Sequence, residues 1–277
     1  MLTLALQLKP KEFEQISKFV YRQAGIRLKK GKEELVRTRL GKRIISLGLE
    51  SFQDYFRLVQ QDGSGTELTL MLDALTTNKT SFYREEDHFQ FLREKIFPAI
   101  QPLRRIRIWS AGCSTGEEPV TIALEARERF ADLGRRDFRI LATDLSTAVL
   151  QKAKEGIFAQ GSVQSLPRPL VRKYFQPCNE AGPGHYRLCQ SALSMIVFAR
   201  LNLMEKWPLK GPFQFIFCRN VMIYFDKPTQ ERLVNRFHKL ICPGGYLLIG
   251  HSESLTGLSH PYRFIQPAVF QKVESGE

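Results

Sequence analysis

No apolar run in this sequence approaches the ~20 residues that a membrane-crossing helix needs. A spanning protein is therefore not expected. The opening stretch meets Lys9 and Lys11 too early for the apolar core of a secretory signal, so the cytoplasm is the expected compartment. Cysteine is sparse: Cys113, Cys178, Cys189, Cys218 and Cys242 are scattered, odd in number and free of any CxxC pair. This excludes a disulfide framework and a zinc knuckle. His185 and Cys189 lie four apart in a strand-like stretch, where that spacing assembles no metal site, and no metal is expected. Internal repeats, a GxGxxG run and a P-loop lysine are also missing.

What is present is the composition of a folded protein. With 43% hydrophobic and 25% charged residues, disorder and fibrous architectures drop out. At 277 residues the chain exceeds what one core ordinarily serves, so a large domain with an attachment, or two domains, is expected. A net charge of +13 means that the surface attracts something acidic, whether nucleic acid, anionic lipid or protein, and composition does not choose among them.

Two textures follow one another along the chain. From Lys11 to about Leu75, apolar residues recur at helical spacing (Ile16 and Val20; Val36, Leu40, Ile44 and Leu47; Phe52, Tyr55, Phe56 and Val59), with Gly25, Gly48 and Asp62–Gly65 as breaks. Residues 1–75 are thus predicted to form an all-helical domain, and 76–104 a linker contributing to a ligand site. From Arg105, short apolar strands at Ile106–Trp109, Phe138–Ala142, Phe213–Cys218 and Tyr246–Ile249 alternate with helices of 10–15 residues. That alternation predicts a doubly wound, parallel α/β sheet over 105–277. Between about 156 and 200 it lapses into Pro-rich turns and two strand-like pieces, Tyr186–Cys189 and Met195–Ala199, read as an inserted small antiparallel β-subdomain.

The first strand runs into Ser110-Ala-Gly-Cys-Ser-Thr-Gly-Glu-Glu-Pro119, a glycine-bearing turn that opens a helix. In open α/β sheets ligands bind at the carboxyl ends of the strands, where glycine lets the backbone approach them. A pyrophosphate wants an unblocked helix N-terminus. Here Glu117 and Glu118 occupy it, which favours a cationic or neutral ligand such as S-adenosylmethionine, whose sulfonium and ammonium an acid can pair. Glu117 is read as complementing the helix dipole and Glu118 as the functional acid. Asp144, ending the second strand, is the candidate for both ribose hydroxyls.

Five ordered motifs now resemble a known family. They are Leu75-Thr-Thr-Asn-Lys-Thr-Ser-Phe-Tyr-Arg-Glu85, WSAGCSTGEEP from Trp109, ATD from Ala142, Phe217-Cys-Arg-Asn-Val-Met-Ile-Tyr-Phe-Asp226 and Gly250-His-Ser-Glu253. In wording and order they are similar to CheR, the chemotaxis receptor methyltransferases, over about Phe13 to Phe270. The resemblance implies a Rossmann-like methyltransferase domain that binds S-adenosylmethionine and releases S-adenosylhomocysteine. It implies cofactor contacts from Asn78, Thr80, Arg84, Glu118, Asp144, Asn202, Leu203, Arg219 and Asn220, with Asn202 and Leu203 framing the adenine. It also implies methylation of glutamate side chains on the cytoplasmic helices of chemoreceptors for sensory adaptation.

A glutamate carboxylate is already ionised at neutral pH, so this reaction needs no general base. It needs in-line positioning and removal of water from the nucleophile. Arg84 is the candidate to grip a carboxylate, of substrate or cofactor, and Tyr224 to aim the nucleophile by a hydrogen bond.

Residues 1–75 hold 13 Lys or Arg against 9 Asp or Glu, with the basic residues concentrated at Arg27–Arg43. On a helix over 32–47, Lys32, Arg39 and Arg43 flank the apolar stripe, and the resemblance implies that this helix faces the acidic receptor helices. It further implies that a glycine-containing loop in the β-subdomain, here Ala181-Gly-Pro-Gly-His185, governs capture of a receptor C-terminal peptide by strand addition. A monomer without membrane insertion or a nucleic-acid partner is expected. The rival readings are a non-catalytic receptor-docking adaptor of the same fold and a nucleic-acid methyltransferase; against the latter, Cys218-Arg-Asn-Val lacks the Pro-Pro turn usual for base-amino methylation.

Overall fold

A computed structural model of the chain describes residues 6–76 and 78–273. Four helices come first: α1 (Pro10–Ala24), α2 (Glu33–Ser46), α3 (Phe52–Gln61) and α4 (Thr66–Leu75). Gly25 (φ 70°) ends α1 in the left-handed conformation, donating its N–H to Tyr21 O, and the Ser51 hydroxyl caps α3 by accepting from Asp54 N. The helices close on one core that includes Ile16, Val20, Val36, Leu40, Ile44, Phe52, Tyr55 and Val59, the stripes read from the sequence, together with Met71 of α4.

Segment 78–104 is more than a connector. It carries α5 (Glu86–Phe91), a π-turn (Leu92–Ile96) and α6 (Phe97–Ile100), and Phe89, Leu92, Ile96 and Phe97 are buried in the core on one face of the large sheet.

That sheet and the remaining elements follow as β1 (Arg105–Ala111), α7 (Glu117–Arg129), β2 (Asp137–Asp144), α8 (Thr147–Glu155), β3 (Ile157–Ala159), α9 (Gln160–Val163), α10 (Arg168–Tyr174), β4 (Phe175–Pro177), β5 (His185–Leu188), α11 (Gln190–Leu193), β6 (Ile196–Arg200), β7 (Phe213–Cys218), α12 (Lys227–Leu240), β8 (Ile241–Ile249), β9 (Tyr262–Gln266) and β10 (Val269–Lys272). Seven strands stand in the order β6-β2-β1-β7-β8-β10-β9, parallel from β6 through β8 and antiparallel at β10 and β9. Alternate side chains of β7 enter opposite cores: Phe215 and Phe217 join Val120 and Ala123 of α7, whereas Ile216 and Cys218 join Leu233 and Phe237 of α12.

Chain order places a switch at β1. Successive strands run outward through β2 to β6, then return to β7 on the other side of β1. A doubly wound sheet opens its ligand crevice at such a point, outside the strand carboxyl ends.

One expectation is corrected, and one element is new. Residues 196–200 were read as part of the inserted subdomain, but they form β6, parallel to β2 at the edge of the large sheet, with Ile140 opposite Ile196 and Asp144 opposite Arg200. The separate antiparallel sheet is β3-β5-β4 alone. A short apolar run carries no mark of the sheet it joins, and partner choice is tertiary. The hairpin β9–β10 has no counterpart in the sequence reading: its turn uses Ala268 at φ 63°, where glycine or asparagine would have signalled the reversal.

Candidate active site

The carboxyl ends of β1, β2 and β7 converge on a cavity of about 250 Å³. After β1, the amides of Gly112 and Cys113 both donate to Thr143 O, at 2.7 and 2.9 Å, joining the glycine turn to the end of β2. Gly112 (φ 89°) admits no side chain, because a Cβ there would lie 2.3 Å from Val221 Cγ2. Ser114 donates its N–H to Asp144 Oδ2 at 2.8 Å and its hydroxyl to Asn78 O at 3.0 Å, so one turn residue ties the linker to β2. Asp144 Oδ1 accepts from Ser146 N at 2.9 Å. Burial pushes the Asp144 carboxyl upward, opposed by these amide hydrogen bonds.

Glu118, in the first turn of α7, accepts from Ser110 Oγ at 2.6 Å and lies 3.2 Å from Arg219 Nε. Burial raises its carboxyl and the Arg219 charge opposes that shift. Arg219 follows β7. Its guanidinium is buried over the rings of Phe89 and Phe217, each 5.5 Å away, and donates through Nη2 to Arg84 O. Its Nη1 is buried with no hydrogen-bond partner.

All ten cofactor and catalytic candidates line this one cavity. Asn78, Thr80 and Arg84 come from the linker, Glu118 and Asp144 from α7 and β2, Asn202 and Leu203 from the loop after β6, and Arg219, Asn220 and Tyr224 from the turn after β7. Arg84 donates through Nη1 to Lys79 O at 2.7 Å, which folds the linker around it. Glu117 does not enter the lining; it is buried and accepts from Thr115 Oγ1 at 2.6 Å.

The chain matches the model of the CheR methyltransferase SAM binding domain over residues 78–270, and that of the CheR methyltransferase all-alpha domain over residues 11–76. It belongs to the CheR methyltransferase family. Among its relatives it is similar to the chemotaxis protein methyltransferase of Borreliella burgdorferi, at 38% identity covering 97% of this chain and 96% of the relative. The Klebsiella aerogenes protein of that name is 40% identical, covering 93% and 88%, and the Escherichia coli one 37%, covering 94% and 90%. The chain is therefore an S-adenosylmethionine-dependent methyltransferase with an all-helical N-terminal domain.

The donor set of this CheR cavity fits that cofactor. The free Nη1 of buried Arg219 suits a carboxylate, the Glu118 carboxylate an ammonium, and Asp144, with one amide on each oxygen, keeps lone pairs for two ribose hydroxyls. Ala24, Ile26, Leu145 and Leu203 give apolar wall.

Asn202 lines the cavity beside Leu203, and its side chain is engaged within the protein. Its Nδ2 donates to Gln23 O at 2.7 Å and to Glu205 Oε1 at 3.0 Å, and its Oδ1 accepts from Met204 N at 3.0 Å. The amide thus holds α1 and its own loop together at the cavity wall. Arg39 and Arg43 are also engaged within the protein. Arg39 Nη1 donates to the carbonyls of Leu75 and Thr76 at 3.0 and 2.7 Å, closing the end of α4, and Arg43 forms a two-pronged pair with buried Glu67 at 2.8 and 2.6 Å. Of the three cations expected to face a receptor, Lys32 is exposed, joined by Lys29, Lys30 and Lys42.

Sequence reasoning missed residues that it had quoted only as motif letters. Glu85 (φ 58°) accepts from Asn220 Nδ2 at 3.3 Å and from His251 N at 3.2 Å, and lies 3.6 Å from Arg219 Nε. It also groups with His88 and His251, each offering a ligand atom within 4.8 Å of the others. Arg219 beside that carboxylate opposes a cation there. Ala24 and Ile26 have no place in the sequence reading, yet they wall the cavity, and Arg27 N donates to Tyr224 O at 2.9 Å. The N-terminal domain thus completes the pocket.

Proposed function

We propose that this methyltransferase esterifies glutamate side chains on the cytoplasmic helices of chemoreceptors, from the cytoplasm. The observation that carries this reading is the cavity lining: it includes Lys79, Arg84, Arg219 and Tyr224 but, among the described residues, no histidine, aspartate other than Asp144 or glutamate other than Glu118. Both of those acids are taken up by the cofactor in this reading, Asp144 by the ribose and Glu118 by the ammonium, so neither is left over as a base. A site without a spare base suits a nucleophile that arrives deprotonated, and the cations at its wall attract a carboxylate. The names of the chemotaxis relatives supply the class of substrate.

The bound cofactor supplies an electrophilic methyl on a positively charged sulfur. Asp144 holds the sugar end, and Glu118 with Arg219 holds the amino-acid end, which fixes the methyl along one line. Arg84 draws the substrate carboxylate to the mouth and strips water from it, and the Tyr224 hydroxyl aims the attacking oxygen. Each product ester removes one negative charge from a receptor helix.

The exposed lysines of α2 and the turn before it meet the acidic receptor helix. The outer strands of the β3-β5-β4 sheet offer edges to a receptor tail peptide, which calorimetric titration with tail peptides tests. The central test is transfer of labelled methyl from S-adenosylmethionine to receptor-rich membranes. Release of the label as methanol in alkali is expected; alkali-stable label contradicts an ester.

A further inference from the structure

The run Gly250–Glu253 stands out in the sequence, yet neither residue lines the cavity. We infer that Glu253 is a positioning residue for methyl transfer, its carboxylate clamping the Asn220–Tyr224 turn so that Tyr224 is held at the cavity wall. This rests on the role proposed above for Tyr224.

Three backbone amides converge on this one side chain. Glu253 Oε2 accepts from Gly250 N at 2.6 Å and from Asn220 N at 2.9 Å, and Oε1 accepts from Ile223 N at 3.1 Å. Two of the donors belong to the turn after β7 and one to the residue that follows β8, so the clamp joins segments 30 residues apart. The turn has a fixed shape to hold: Asn220 sits at φ 59°, a left-handed conformation that asparagine tolerates better than most non-glycine residues. The two segments also touch at backbone level. A Cβ on Gly250 would lie 2.5 Å from Asn220 Nδ2 and 2.8 Å from Asn220 N, which explains a glycine three residues before the glutamate.

From Ile223, the second anchored amide, the chain passes directly to Tyr224 in the same 3₁₀ turn, Met222–Tyr224. The far side of Tyr224 is fixed by Arg27 N donating to its carbonyl. Tyr224 is thus held between Glu253 and the N-terminal domain. The chemistry of the clamp explains the choice of an acid. An ionised carboxylate is acceptor-only and meets three N–H donors without conflict, whereas a glutamine must turn its NH₂ toward at least one of them.

The experiment is a kinetic double-mutant cycle of Glu253→Gln and Tyr224→Phe, with S-adenosylmethionine affinity measured by calorimetry on each full-length protein. Glu253→Gln is expected to lower kcat roughly 10- to 100-fold, the scale of a misplacement of about 1 Å, with a smaller change in receptor KM. In the Tyr224→Phe background the same change should cost less than about threefold, because coupled residues are not additive. A structural role alone would give additive losses, and additivity overturns the proposal. A slow Tyr224→Phe beside an unimpaired Glu253→Gln sinks the clamp and leaves the Tyr224 reading standing. An unimpaired Tyr224→Phe sinks that reading, and the clamp with it. Should Glu253→Gln not fold, amide exchange in the wild-type protein decides: protection at Asn220, Ile223 and Gly250 is expected, and rapid exchange at any of the three rejects the clamp.

Discussion

Arg219 Nε lies 3.2 Å from Glu118 Oε2, both side chains being buried at the wall of the cofactor cavity. The same guanidinium is 3.6 Å from Glu85, so one cation neutralises two acids in a place where water cannot. Arg219→Met should therefore destabilise the protein by roughly 3–5 kcal/mol in urea unfolding, the cost of leaving buried charge unpaired. Glu118→Gln should weaken S-adenosylmethionine and S-adenosylhomocysteine to the same extent, since both carry the ammonium that we propose Glu118 to meet. Unequal weakening would place Glu118 at the sulfonium instead, and competitive calorimetry separates the two.

Asp144 holds the glycine turn through Ser114 N and the start of α8 through Ser146 N. Asp144→Ala should thus raise the dissociation constant for S-adenosylmethionine by about 10- to 100-fold and also lower stability by roughly 1–3 kcal/mol, because two buried amides lose their acceptor. Adenosine, which has the ribose but not the amino-acid end, should lose affinity by a similar factor. An unchanged adenosine affinity would remove the sugar from Asp144.

The surface cations divide by what they touch. Arg43→Ala strips the partner from buried Glu67 and should cost about 3 kcal/mol of stability with little effect on receptor KM. Lys30→Glu and Lys32→Glu should leave stability within about 0.5 kcal/mol, raise receptor KM and flatten its dependence on salt. Thermal scans and KM measured at two ionic strengths check both halves.

His88 carries an acid liability. It is fully buried, and burial, followed by the charges of Arg219 and His251, pushes its pKa down to about 3. The unfolded chain binds a proton at His88 below about pH 6.5 and the folded chain does not, so this residue lowers stability as pH falls from about 6.5 toward 3. The slope is at most about 1.4 kcal/mol per pH unit. Melting temperature should fall less between pH 7 and pH 5 in His88→Phe than in the wild type. Parallel curves would show that His88 is protonated in the fold.

The chain's periodicities already contain its local architecture. The stripes through Val36, Leu40 and Ile44 closed a helical core, and the strand, glycine turn and helix from Ile106 to Phe130 marked where a ligand sits, because burial enforces spacing and only glycine tolerates the conformation at Gly112. Eight of the ten site candidates were legible as letters of the five motifs, Asn202 and Leu203 lie outside them, and the fold brings all ten to one cavity. The sheet that residues 196–200 join was not legible, since pairing depends on neighbours distant in sequence.

Sequence alone determined that this chain is an α/β cofactor binder with a basic helical cap, and through its motifs which family it belongs to. Only the tertiary structure decided which charges are free to act. Arg39 and Arg43 look like Lys32 on a helical wheel, yet carbonyls of α4 and the Glu67 carboxylate consume them; Glu85 and Glu253 look like surface acids, yet they grip the turn that carries Asn220. A charged side chain is defined by what neutralises it. That partner is set by packing across tens of residues, a distance over which spacing in the sequence carries no information.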